Sequence, residues 1–311
     1  SKIDEKPDTT TAKVSKNLVN LREEGGAVAL GRVLTLVIST TPGYEEEAIT
    51  AANDASREHP MRVIVLSIPE ESTNITNRLD AEIRVGGDAG ASEVIVLRAY
   101  GEVGSDEQGL VMSLLLPDAP VVVWWPGNSP AVASNSPLGR IAQCRITDAA
   151  AKEDSVAALK HLSESYAPGD ADFSWTRLTS WRTQLAAVLD QPPFEPIVSG
   201  YVSAADGSPS ARLLAAWLQL QLQVPIEYRE SKRGDHDGSI HEVGLTRSSG
   251  EIKLARLNAS VAHLEQPGQP RHDVTLMRRS LRDCLAEELR RLDPDVVYGS
   301  VITQGISSLG L

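Results

Sequence analysis

The chain has 311 residues, 41% of them hydrophobic, with 30 basic against 42 acidic side chains and a formal net charge of −12. Such an acidic field repels nucleic acid and anionic membrane, because both are held mainly by clustered Lys and Arg. The length exceeds what one hydrophobic core usually serves and predicts two domains of roughly 150 residues each. The two cysteines, Cys144 and Cys284, lie far apart with no C-x-x-C or zinc-like spacing, so a reduced, cytoplasmic protein is expected. The apolar run 26–38 is broken by Arg32 and falls short of the roughly 20 residues of a membrane span. Asp4, Glu5 and Asp8, with no apolar stretch, do not read as a signal peptide.

Residues 1–15 are polar and aperiodic, which predicts a flexible tail. Val14, Leu18 and Leu21 then follow helical spacing, with Gly25-Gly26 as the stop. The run 33–38 is nearly all apolar and partly β-branched, the pattern of a strand buried on both faces. Glu45, Glu46 and Glu47 open a helix ending near Pro60, and 62–68 is a second buried strand, completing a β-α-β unit. The glutamates read as a solvated face rather than a catalytic pair. Leu79, Ala81, Ile83 and Val85 alternate with charged residues, a strand with one wet face; 93–100 and 121–124 are further strands, with a short helix near Leu110.

A short strand at 145–147 and a helix at 152–166 close a first α/β domain, 16–166, with a largely buried sheet. Ala167-Pro-Gly-Asp170 is the linker candidate. In 171–311, the stripe Trp175, Leu178, Trp181, Leu185 and Val188 marks a helix. A strand at 197–203, a helix at 209–221, a meander from 227 to 264 and a last helix at 280–292 make this a second α/β or α+β domain.

Four of the five tryptophans fall in two segments, Trp124-Trp125 at the end of a strand and Trp175 to Trp181 beside Arg177 and Arg182. Clustered Trp and Arg anchor protein interfaces, so Trp124, Trp125, Trp175, Arg177, Trp181 and Arg182 are candidate partner-binding residues. The competing reading is a packed core, with the two arginines as an internal clamp. The P-loop, H-E-x-x-H and G-x-S-x-G patterns are all missing from the sequence. Gly86 and Gly87 could let backbone N–H groups approach a phosphate, but a plain turn between two strands fits them better. Asp235-His-Asp-Gly-Ser-Ile-His241 holds metal-ligand residue types, yet its Asp-Gly is a turn signal; no metal or cofactor is expected.

Several segments together resemble the OpcA family of glucose-6-phosphate dehydrogenase assembly proteins. They are Leu116-Pro-Asp-Ala-Pro-Val-Val-Val-Trp-Trp-Pro126, Leu138-Gly-Arg-Ile-Ala with Arg145-Ile-Thr-Asp148, and Trp175-Thr-Arg-Leu-Thr-Ser-Trp-Arg182. Ser56-Arg-Glu-His-Pro60 with Arg62, Arg78-Leu-Asp-Ala-Glu-Ile-Arg-Val-Gly86 and Leu285-Ala-Glu-Glu-Leu-Arg-Arg-Leu-Asp-Pro294 fit the same family, so the likeness spans about 18–294. The resemblance implies a non-catalytic, cytoplasmic partner of glucose-6-phosphate dehydrogenase that aids its assembly or activates it allosterically in the oxidative pentose phosphate pathway. A thioredoxin switch known in photosynthetic members does not carry over, because Cys144 and Cys284 have no neighbouring cysteine. The alternative is an α/β enzyme or sensor that binds a sugar phosphate at Gly86-Gly87 or beside Trp124-Trp125.

Overall fold

The computed structural model describes residues 2–25, 33–70, 76–85, 93–231 and 239–309. The chain divides into two compact units, 1–147 with 281–294, and 148–280 with 295–311.

The strands of the first unit are β1 (Lys2–Lys6), β2 (Leu34–Thr40), β3 (Met61–Ser67), β4 (Arg78–Val85), β5 (Glu93–Tyr100), β6 (Val121–Trp124) and β7 (Cys144–Thr147). They lie in the order β1-β4-β5-β3-β2-β6-β7. From β5 to β7 the neighbours are parallel, and β4 and β1 continue the sheet antiparallel. Every residue of β3 is buried, as its unbroken apolar run Val63 to Leu66 requires of a strand covered on both faces. The helices are α1 (Thr11–Gly25), α2 (Glu45–Ala55) and α3 (Glu107–Met112), joined by α8 (Leu281–Arg290), whose Leu285 and Leu289 are buried and which packs on α2.

The flexible tail expected for residues 1–15 is not what forms. Lys2 to Lys6 pair with Val85 to Ala81 of β4, Thr9 donates to the Leu79 carbonyl, and α1 begins at Thr11. A ladder is made by main-chain groups, so a polar, aperiodic segment can join a sheet edge that side-chain patterning does not advertise.

In the second unit, β9 (Ser199–Ala204), β10 (Ile226–Glu230), β11 (Ile240–Arg247), β12 (Gly250–Arg256), β13 (Val261–Glu265) and β14 (His272–Thr275) form one sheet in the order β10-β9-β11-β12-β13-β14. Only β10 and β9 are parallel there. The helices are α4 (Ser155–Ser165), α5 (Phe173–Thr176), α6 (Thr179–Leu189), α7 (Pro209–Leu222), α9 (Val296–Ser300) and α10 (Ile306–Ser308), and a short strand, β8 (Asp170–Asp172), precedes α5. The helix α7 starts where Ser208 Oγ accepts from the Ala211 N–H with Pro209 in the first turn. It ends at Gln223, whose φ of 55° is left-handed.

The stripe Trp175, Leu178, Trp181, Leu185 and Val188 is buried as the spacing predicts, although it is shared between α5 and α6. Leu159 of α4 belongs to the same core. Two elements escape the sequence pattern. The edge strand β14 is polar, and the helical turns after Pro294 restart because the Asp295 carboxylate accepts from the Val297 and Tyr298 N–H groups.

Candidate functional site

Trp124 and Trp125 sit where β6 ends, and both are buried. Trp124 pairs with Ile146 of β7, and the Trp125 N–H donates to the Ile146 carbonyl. Trp125 is part of the core formed with Leu110, Val111 and Leu138. The chain that follows is folded tightly onto this end of the sheet. Gly139 lies so close to Ala133 that a Cβ there would stand 1.7 Å from the Ala133 carbonyl oxygen, which accounts for glycine in the Leu138-Gly-Arg segment.

The second tryptophan segment is tied to distant parts of its own unit. Trp175 Nε1 donates to Asp295 Oδ2 at 2.9 Å, and its ring lies 5.9 Å from that of Tyr298. The Arg182 guanidinium stands 3.9 Å over the Trp175 ring, and Arg256 stands 5.3 Å from the ring of Trp181. Arg177 makes a fork with Asp148, Nη1 to Oδ1 at 2.8 Å and Nη2 to Oδ2 at 2.6 Å. The Asp148 side chain is 5% exposed and that of Arg177 28%. Arg279 Nη1 donates to the Thr176 carbonyl. Of the six candidate partner-binding residues, the four tryptophans are therefore interior, and Arg177 and Arg182 are partly exposed and already engaged within the unit.

In the first unit, β3 and β6 flank β2 on opposite sides, so the carboxyl ends of β2 and β6 border a topological switch point, the usual ligand position in open α/β sheets. Here the adjoining first turn of α2 carries Glu45, Glu46 and Glu47. Glu45 is buried rather than solvated: its carboxylate accepts from the Gly43 N–H at 2.7 Å and from Ser67 Oγ at 2.8 Å. Glu46 is paired with Arg84, which also reaches Glu82, and Glu82 is shared with Arg98. The hydrogen bond from Arg84 holds the Glu46 carboxyl below its ordinary range. Burial pushes the Glu82 carboxyl up, but the bonds and charges of Arg84 and Arg98 outweigh it and the net shift is downward. The positive end of α2 is thus satisfied by the protein's own carboxylates, and a dinucleotide phosphate would meet negative charge there.

A cavity of about 540 Å³ opens in the second unit. Arg177, Arg256, Arg278 and Arg279 line it, with Glu153 and Asp206. Arg256 Nη1 donates to the carbonyls of Leu276 and Asn258, and burial together with the charge of Arg278 brings its guanidinium down to about 10. Only Arg177 among these lies in a segment that the sequence singles out; Arg278 and Arg279 could have been found as an adjacent basic pair, and Arg256 carries no such signal.

Gly86 and Gly87 lie outside the described residues, as do Asp235 to Gly238. His241 is buried beside a register shift between β11 and β9. Among the described residues no group of three or more His, Cys, Asp and Glu is arranged to hold a metal ion. Cys144 and Cys284 are both buried and are not joined by a disulfide. No helix among the described residues is long and apolar enough to cross a membrane.

These features define a two-unit mixed α/β protein in which the sequence segments that stand out hold the fold together. Residues 52–164 match the family model described as glucose-6-phosphate dehydrogenase subunit N-terminal domain, and residues 168–302 match the corresponding C-terminal domain. The chain belongs to the OpcA family. No curated protein matches it. Among solved structures, an inositol dehydrogenase homolog from Azotobacter vinelandii complexed with NADH and myo-inositol aligns at TM-score 0.47 and 8% identity, covering 92% of this chain and 96% of that one. An oxidoreductase from Sinorhizobium meliloti aligns at TM-score 0.49 and 9% identity over 89% of this chain and 95% of that one. Similarity at this level says nothing of chemistry.

Proposed function

We propose that this protein is a non-catalytic, cytoplasmic subunit that binds glucose-6-phosphate dehydrogenase, promotes its assembly and activates it in the oxidative pentose phosphate pathway. The observation that carries the reading is the match to both subunit domains, in order. The acidic first turn of α2 supports it, since that turn disfavours a nucleotide phosphate at the switch point. In the second unit the proposed contact residues are Arg177 and Arg182, with Trp175 and Trp181 as their support from beneath; in the first unit they are Trp124 and Trp125, at the end of β6.

The test is steady-state dehydrogenase activity from the same organism, with glucose 6-phosphate varied, in the presence and absence of this chain. A saturable rise in rate or fall in KM, with co-elution of the two proteins, is expected. Unchanged kinetics together with separate elution would remove the reading.

A further inference from the structure

Among the described residues, the cavity in the second unit is lined by Arg177, Arg256, Arg278 and Arg279 against the carboxylates Glu153 and Asp206. Arg177 is matched by Asp148, and Arg279 is turned to the Thr176 carbonyl. Arg256 and Arg278 have no carboxylate partner among the described residues. Arg256 is half-buried and its bonds run to neutral carbonyls, while Arg278 is exposed at the same wall. Arg256 and Arg278 share the wall of one cavity, the charge of Arg278 helps lower the Arg256 pKa, and in a chain of net charge −12 the pair forms a site that an anion completes.

The rest of the wall narrows the chemistry. The volume falls in the range of small-molecule sites rather than that of a bare ion. Arginine forks match phosphate oxygens in pairs. The hydroxyl-bearing Ser155 and Ser239 and the carboxylates Glu153 and Asp206, both exposed, supply acceptors for hydroxyl groups on the same ligand. The amino end of α7 adds its positive pole beside Pro209.

We propose that this cavity binds the phosphate monoester of a small polyhydroxylated metabolite, with Arg256 and Arg278 holding the phosphate. The site stands apart from the subunit reading, because binding is measured on this chain alone. Isothermal titration of the full chain with glucose 6-phosphate, inorganic phosphate and glucose is the experiment. Saturable heat is expected with glucose 6-phosphate, weaker binding with inorganic phosphate, and none with glucose. Arg278→Glu weakens the ester by about tenfold or more while leaving the melting temperature in place, since this exposed side chain has no hydrogen-bond or ion-pair partner among the described residues. Arg256→Gln weakens it too, judged per folded molecule because Arg256 also bonds Leu276. Absence of saturable heat with either phosphate, or affinity unaltered in both variants, would overturn the site. Equal affinity for inorganic phosphate and the ester would overturn the assignment to a metabolite.

Discussion

At the scale of single residues, the fork between Arg177 and Asp148 decides how the second tryptophan segment is held. Asp148 is almost wholly enclosed, so removing its guanidinium leaves a carboxylate that water reaches poorly. Arg177→Ala is expected to destabilise the chain by about 2 kcal/mol in chemical denaturation. Asp148→Asn added to Arg177→Ala is expected to cost less than the two single changes summed, because the pair acts as one interaction. Strict additivity would show that the fork contributes nothing beyond its parts. The choice between anchor and clamp was open in the sequence because Trp and Arg serve both ends of that argument. The four indoles are buried in this chain, and nothing local in the sequence distinguishes a core stripe from a contact stripe.

At the scale of elements, two segments that the family resemblance rested on have local physical reasons. Gly139 is required by the approach of its backbone to Ala133 in the turn that covers Trp125. Gly139→Ala is expected to cost about 3 kcal/mol, read as a lowered melting temperature, since backbone rather than a flexible side chain must move. An unchanged melting temperature would mean that this turn relaxes freely.

The charged face of β4 and β5 has a different signature. Glu46 and Glu82 have lowered pKa values in the folded chain, so their contribution is present above the ordinary carboxylate value of 4.5 and is lost as pH falls through their lowered values. The melting-temperature gap between the native chain and Arg84→Met is therefore expected to narrow from about pH 6 to about pH 3. A gap independent of pH would assign Arg84 to packing alone. The alternation in β4 showed in the sequence that one face is charged. It did not show that Arg84 and Arg98 converge on Glu82 and reach the start of α2, because that depends on the sheet order.

At the scale of the whole molecule, the two compact units do not follow the chain as the two family segments do. The matched segments meet at 164–168, whereas the units part between Thr147 and Asp148. The linker read at 167–170 rests on turn residues, and turn residues mark where the chain bends, not where a core ends. Leu159 draws α4 into the second core, and the buried stripe of α8 returns residues 281–294 to the first. For the proposed activating role the consequence is thermodynamic. A partner that binds only the assembled dehydrogenase stabilises it by mass action, by about 2.7 kcal/mol at a hundredfold excess over Kd, and only to the extent that it prefers that state.

The sequence by itself determined the secondary elements with strong periodicity, the α/β class, the buried parallel strands and the family. Each of these is written in local spacing of apolar residues or in ordered motifs. Tertiary structure alone decided that residues 2–6 extend the first sheet, that Glu45 is buried, that the tryptophans are interior, and that Arg256 and Arg278 line one cavity. These outcomes depend on groups brought together from distant positions. Main-chain pairing leaves no side-chain pattern, and the balance of charge at a point in space is a sum over neighbours that the order of residues does not list.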